Sequence, residues 1–191
     1  HMRHTLLPEH KFIKGQPDTG AELADDLELI ANKFEGEIAA CIVEPIAGST
    51  GILVPPKGYL DRLRKICDKH GILLIFDEVI TGWGRTGSPF AAQEFNVTPD
   101  IMTLAKATTN GVVPMGVVAV RDGIYDAVMD SAPEGAIELF HGYTYSGIPA
   151  AVAAALAVQN IFEKENIFSR VKEISPYFQE TLHSLGDLDC V

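Results

Sequence analysis

An α/β fold is predicted, with a mostly parallel sheet between helices in three layers. Two apolar, β-branched runs, IAACIVEPI (38–46) and ILLIFDEV (72–79), flank an amphipathic helical stretch. Strand, helix and strand fall within about forty residues, the length a parallel βαβ unit needs. Both runs are continuous rather than alternating, as in strands covered on both faces, so helices are expected over both faces of the sheet. Two further strand patterns, DIMTLA (100–105) and PMGVVAV (114–120), extend the same sheet.

Taken in order, residues 19–35 place apolar side chains at 23, 27, 30 and 34, a helical spacing behind a Thr19 or Asp18 cap. The first strand breaks at Glu44-Pro45, so it delivers a carboxylate at its C-terminal end and runs into the loop AGSTG. GYLDRLRKICDKHG puts Leu60, Leu63, Cys67 and His70 on one helical face and ends on Gly71, a helix stop. After the strands at 100–105 and 114–120, joined by the hinge KATTNGVV, a short helix is expected over IYDAVMDS. Pro149 suits a first helical position, and PAAVAAALAVQNIFEKENI reads as a helix followed by another over about 168–185. A new strand is expected to begin at 188–191, an ending that reads as truncation, and His1-Met2 reads as a cloning scar.

With 191 residues, 47% hydrophobic and 21% charged, the chain can bury a sizeable core. Its net charge of −11 and its lack of any Lys/Arg run of five argue against a nucleic-acid partner and favour a small metabolite or a protein. No apolar run reaches the ~18 residues of a membrane span. Cys41, Cys67 and Cys190 are odd in number and widely spaced, which points to neither a disulfide framework nor a metal site and fits a reducing, cytoplasmic setting.

The chemistry is concentrated at the strand ends. In an open α/β sheet ligands lie beyond the carboxyl ends of the strands. Glu44, Asp77 and Lys106 each sit at or just past such an end. A carboxylate closing a buried strand needs a partner, because an unpaired buried charge is costly. Strand alternation separates Asp77, on the face of Val79, from Glu78, which faces away and is expected to cap or pair. Lys106 follows IMTLA and precedes Ala107, Thr108 and Thr109, so its amine is expected in a cleft, partly desolvated, where lysine attacks aldehydes.

The order VEPIAGSTG, LIFDEVITGWGRTG, TPDIMTLAKATTNGVVPMGVVA and HGYTYSGIP resembles the class III, fold type I, pyridoxal-phosphate aminotransferases over nearly the whole chain. Within that class, RHTLLPEHKFIKGQPDTGAELADDLE and HGYTYSGIPAA most resemble the ω-amino acid:pyruvate (β-alanine:pyruvate) enzymes. The resemblance implies transfer of an amino group from an ω-amino acid or amine to pyruvate, with pyridoxal 5′-phosphate as cofactor. It identifies Lys106 with the Schiff-base lysine that also shuttles the proton. Asp77 matches the acid bonded to the pyridine nitrogen, which keeps the ring protonated as an electron sink. Val79 matches the residue packed on the ring, and Glu44 a glutamate on the ring-hydroxyl side.

Ser49 falls where the family lines its substrate pocket, although an ordinary turn serine reads equally well. Thr144 matches the threonine that reaches the cofactor phosphate of a neighbouring subunit, which implies a homodimer or higher homo-oligomer, and Tyr143 beside it reads as lining the substrate pocket or as a core or interface aromatic. His141 reads as structural. Arg85, next to Trp83 in the loop after Asp77, reads either as a substrate-carboxylate ligand or as a bracing ion pair. Family members are more than twice this length, so residues 1–191 correspond to a partial large domain, with 168–191 leading toward a small domain that is absent. The rival readings are another class III enzyme, an aminomutase or a decarboxylase, and a non-catalytic fragment or cofactor-binding remnant.

Overall fold

The structure, a computed structural model, describes residues 1–189. Four strands form one sheet in the order β1 (Ala40–Val43), β2 (Leu73–Asp77), β3 (Ile101–Leu104) and β4 (Val117–Val120). The first three are parallel, with Val43 opposite Phe76 and Asp77 opposite Thr103. The last is antiparallel, pairing Leu104 with Val117 and Ile101 with Val120. The expected α/β sheet is therefore present, with one antiparallel strand at its edge.

Helices α1 (Asp25–Lys33) and α2 (Tyr59–His70) supply the core on one face. Leu27 and Ala31 of α1 and Leu60, Leu63, Ile66 and Cys67 of α2 are buried with Cys41, Leu74 and Phe76 of the sheet. The period-2 geometry of a strand puts those three sheet residues on the same side. Gly71 ends α2 at φ +66°, a left-handed conformation that glycine adopts without a Cβ clash. Salt bridges outside the core join the two helices, Arg62 to Asp25 at 2.5 Å and both Lys69 and His70 to Glu28. His70 thus leaves the apolar face expected for it and turns to an acid.

One buried carboxylate ties the sheet to its surroundings. Asp100, immediately before β3, accepts the Leu74 backbone N–H and Arg64 Nη1 on one oxygen, and Arg121 Nη1 on the other, each at 2.7 Å. Burial pushes this carboxyl up, but the Leu74 N–H and the two guanidinium groups outweigh it and hold Asp100 below the usual carboxylate range.

The remaining helices are α3 (Ala91–Glu94), α4 (Asp122–Asp130), α5 (Pro149–Lys164) and α6 (Ile167–His183). Pro149 occupies the first turn of α5 as expected, and Asn166, at φ +51°, breaks the run before α6. No helix among the described residues is long and apolar enough to cross a membrane. Cys41 and Cys67 are buried free thiols.

Several boundaries differ from expectation for identifiable reasons. The first helix starts as a 3-10 turn at Ala21 and becomes α-helical only at Asp25, because Gly20 at φ +103° separates it from the expected caps. Thr19 instead bonds His10, and Asp18 pairs with Lys57. Strand β1 stops at Val43, just before Glu44 and Pro45, since proline has no N–H for a ladder. Leu188 and Asp189 are not in a strand, and the rest of the strand expected there, Cys190 and Val191, lies outside the described residues.

The largest departure concerns coverage. The face that carries Asp77 also carries Ile42, Val118 and Val120, which are 58%, 66% and 42% exposed. The second helical layer expected over this face is not supplied by the described residues. The apolar character of the strands, read as burial on both sides, marks a surface that this chain leaves open.

Candidate active site

At the end of β2 the two acids part. Glu78 is fully buried, and its carboxylate accepts Ala91 N–H at 2.7 Å, Ala92 N–H at 2.8 Å and Thr81 Oγ1–H at 3.1 Å. Those two amides open α3 and have no partner within the helix, so Glu78 serves as its anionic cap from a distant strand. The capping role expected of Glu78 is what the geometry shows. Asp77 is half-buried on the open face, where one oxygen accepts Val79 N–H at 3.1 Å and the other has no protein partner among the described residues.

The segment between them and α3 is a tightly folded loop. Gly82 N–H bonds Glu78 O at 2.9 Å, and a Cβ at Gly82 would stand 2.8 Å from that same oxygen, so a side chain there has no room. Trp83 adopts φ +61°, an unfavourable conformation for a bulky residue. Its ring packs edge-on against Phe90 at 5.2 Å and stacks with Phe162 of α5 at 6.1 Å. Its Nε1–H donates to Thr108 Oγ1 at 2.9 Å, linking this loop to the turn that begins at Lys106.

Lys106 opens a 3-10 turn, Lys106–Thr108, directly after β3, with φ +49°. For an L-residue this left-handed conformation costs about 1–2 kcal/mol. The turn is closed by Thr108 N–H and Thr108 Oγ1–H, both donating to Ala105 O at 3.0 Å. The side chain of Lys106 is exposed, contrary to the cleft expected for it, because the sheet face it borders is uncovered. Register nevertheless sets the strand ends that carry Asp77 and Lys106 side by side. Asp77 lies opposite Thr103, three positions before Lys106, on the adjacent parallel strand.

Glu44, half-buried beyond β1, accepts Gly48 N–H at 3.0 Å and so shapes the AGSTG loop. That loop packs onto the β2 end, where a Cβ at Gly48 would sit 2.7 Å from the Ile80 side chain. Ser49 is exposed at the loop's outer edge. Val79 is half-buried beside Asp77.

Thr144 and Tyr143 are not brought to this cluster. They lie in an exposed segment with Phe140 (93% exposed) and Tyr145, where Tyr143 meets the His141 ring edge-on at 4.8 Å. Arg85 is exposed and forms no ion pair among the described residues, so the bracing pair is not seen. It lines a hollow of about 610 Å³ with His10, Ile52 and Gln179, away from both Lys106 and Asp77. Two relationships escaped sequence reasoning, the Trp83–Thr108 bond and the Asp100 hub. No periodicity signals a contact between loops, although the tryptophan's single donor was a hint that a partner would be needed.

A family model described as aminotransferase class-III matches residues 2–191. An ω-aminotransferase of Caulobacter vibrioides is 57% identical over 98% of this chain and 43% of its own length. An ω-amino acid–pyruvate aminotransferase of Pseudomonas putida is 51% identical over 97% of this chain and 42% of its own. Among solved structures, an amine transaminase from an uncultivated Pseudomonas species, in its pyridoxal-phosphate-bound form, superposes with a TM-score of 0.81 at 40% identity, covering 87% of this chain and 38% of that one. The chain therefore spans less than half the length of the curated relatives it matches.

Proposed function

Because this chain belongs to the class III aminotransferases, we propose that it is the central part of a pyridoxal-phosphate-dependent large domain. The whole enzyme moves an amino group from an ω-amino acid or amine, such as β-alanine, to pyruvate. The observation that carries this reading is that Asp77 closes β2 opposite Thr103 of the adjacent parallel strand, which Lys106 follows by three positions.

The residues present fit the cofactor. Asp77 has an oxygen left over after the Val79 N–H bond, a free acceptor for a protonated pyridine nitrogen. Val79 offers an apolar side chain beside it, and Lys106 an accessible amine. When bound, pyridoxal phosphate supplies an electron sink for the pair left as a proton departs from the amine-bearing carbon. Lys106 would hold the cofactor through its amine and, once free, would serve as the general base that takes up that proton. Asp77 would hold the pyridine nitrogen, its carboxylate favouring the protonated ring. Glu44 orders the loop that places Ser49 on the substrate side through its bond to Gly48 N–H.

Thr144 and Tyr143 act from a second copy of the chain. The exposed apolar side chains of Ile137, Leu139, Phe140 and Tyr145 around them favour a homodimer or higher homo-oligomer, in which Thr144 donates to the cofactor phosphate of the partner. The free thiols of Cys41 and Cys67 fit a reducing compartment such as the cytoplasm.

Product analysis tests the reading. β-Alanine and pyruvate are incubated with the chain extended to its relatives' full length by the flanking sequence of its own reading frame. Formation of alanine, dependent on Lys106, is expected. No alanine from any ω-amine or ω-amino acid would overturn the proposal.

A further inference from the structure

We propose that Trp83 is a positioning residue for Lys106, acting through Thr108. This deepens the reading of Lys106 as the reacting amine and rests on it. The hydrogen bonds run in one line. Trp83 Nε1–H donates to Thr108 Oγ1 at 2.9 Å, and Thr108 Oγ1–H donates in turn to Ala105 O at 3.0 Å. Ala105 O belongs to the peptide group that joins Ala105 to Lys106, and Lys106 φ is the rotation about the next bond. Fixing that peptide plane fixes the Lys106 Cα, from which the side chain leaves at the observed φ of +49°.

Both ends of the line hold unfavourable backbone, Trp83 at φ +61° and Lys106 at φ +49°. Such conformations persist only where the surroundings over-determine them. At Trp83 the surroundings are the Phe90 and Phe162 rings and the glycine-rich loop with Gly84 N–H on Pro89 O at 3.1 Å. On the far side of Lys106, Thr109 Oγ1–H bonds Val113 O at 2.5 Å and holds the next stretch. Trp83 is thus packed by α5 and α3's entry, and its one polar atom is spent on the lysine's turn.

The test separates donor from ring. Trp83→Phe keeps the aromatic packing and removes the N–H, Thr108→Val removes the hydroxyl at nearly constant volume, and Thr108→Ser restores it. Two quantities are measured on the 191-residue chain. One is amide hydrogen exchange across residues 105–109. The other is the rate at which added pyridoxal phosphate becomes fixed to Lys106 by borohydride, read by peptide mass.

Trp83→Phe loses one neutral hydrogen bond and should speed exchange in the turn, and slow capture by Lys106, by about two- to tenfold; Thr108→Val loses both bonds of the hydroxyl and should do so at least as strongly. Exchange in β1 and β2 should stay unchanged, Thr108→Ser should recover both values, and the Trp83→Phe/Thr108→Val double variant should be no worse than Thr108→Val alone. Faster exchange without slower capture would make the bond merely structural and overturn the inference. So would additive effects in the double variant, or faster exchange in every segment alike. Failure of the unaltered chain to fix the cofactor at Lys106, with fixation elsewhere or nowhere, would instead overturn the reading of Lys106 itself and the positioning role with it.

Discussion

Asp77 and Glu78, consecutive at the end of β2, deliver their carboxylates to opposite faces of the sheet. Glu78 is wholly buried against the Ala91 and Ala92 amides, while Asp77 keeps an oxygen on the open face that has no partner among the described residues. One acid caps α3, and the other faces the open side of the sheet. The pair should therefore separate under mutation.

Glu78→Ala strands two helix-opening amides in a dry site and should cost roughly 3 kcal/mol, at about 1–3 kcal/mol for each unsatisfied group. Glu78→Gln keeps an acceptor and should cost less. Urea unfolding monitored by circular dichroism measures both.

Asp77→Asn should leave that stability within about 0.5 kcal/mol, as for a surface change away from buried partners. It should weaken retention of pyridoxal phosphate by about ten- to a hundredfold, the worth of a hydrogen bond to a charged group. Equilibrium dialysis at neutral pH reads the loss.

Asp100 gives a pH dependence with a definite sign. Its folded value lies below the ordinary 3.8, so the unfolded chain takes up its proton first as pH falls. Its stabilisation is fully present above about pH 4 and is lost as pH drops through the folded value. Asp100→Asn leaves Arg64 without its buried partner and should cost on the order of 3 kcal/mol at pH 7. The gap between variant and parent should narrow below pH 4 in denaturant titrations run at several pH values.

The open sheet face should govern association. Ile42→Lys with Val118→Lys places two charges among exposed apolar side chains that make up no part of the α1–α2 core. Such a face favours self-association, which charges oppose. Light scattering across a concentration series should show less association for the double variant, with the thermal midpoint little changed.

Much of this was legible in the sequence because the signals are local. The βαβ unit follows from two apolar runs around an amphipathic helix, and the separation of Asp77 from Glu78 follows from strand alternation alone. Pro149 and Gly71 mark helix ends through conformations that their own chemistry dictates. The sequence misled where the outcome depends on what surrounds an element. Continuous apolar strands implied cover on both faces, yet Ile42 and Val118 are exposed, and Lys106 is exposed for the same reason. The Asp100 hub joins residues from α2, β2 and the end of β4, and such convergence has no periodic trace. The same is true of the bond from Trp83 to Thr108, whose donor and acceptor are separated by a helix and a strand.

The central claim, that Lys106 carries the cofactor opposite Asp77, is tested most directly by borohydride fixation of pyridoxal phosphate followed by peptide mapping. One modified peptide is expected, that containing Lys106, with the modification lost in Lys106→Ala and reduced in Asp77→Asn. Label spread over other lysines, or unchanged capture without Lys106, would contradict it.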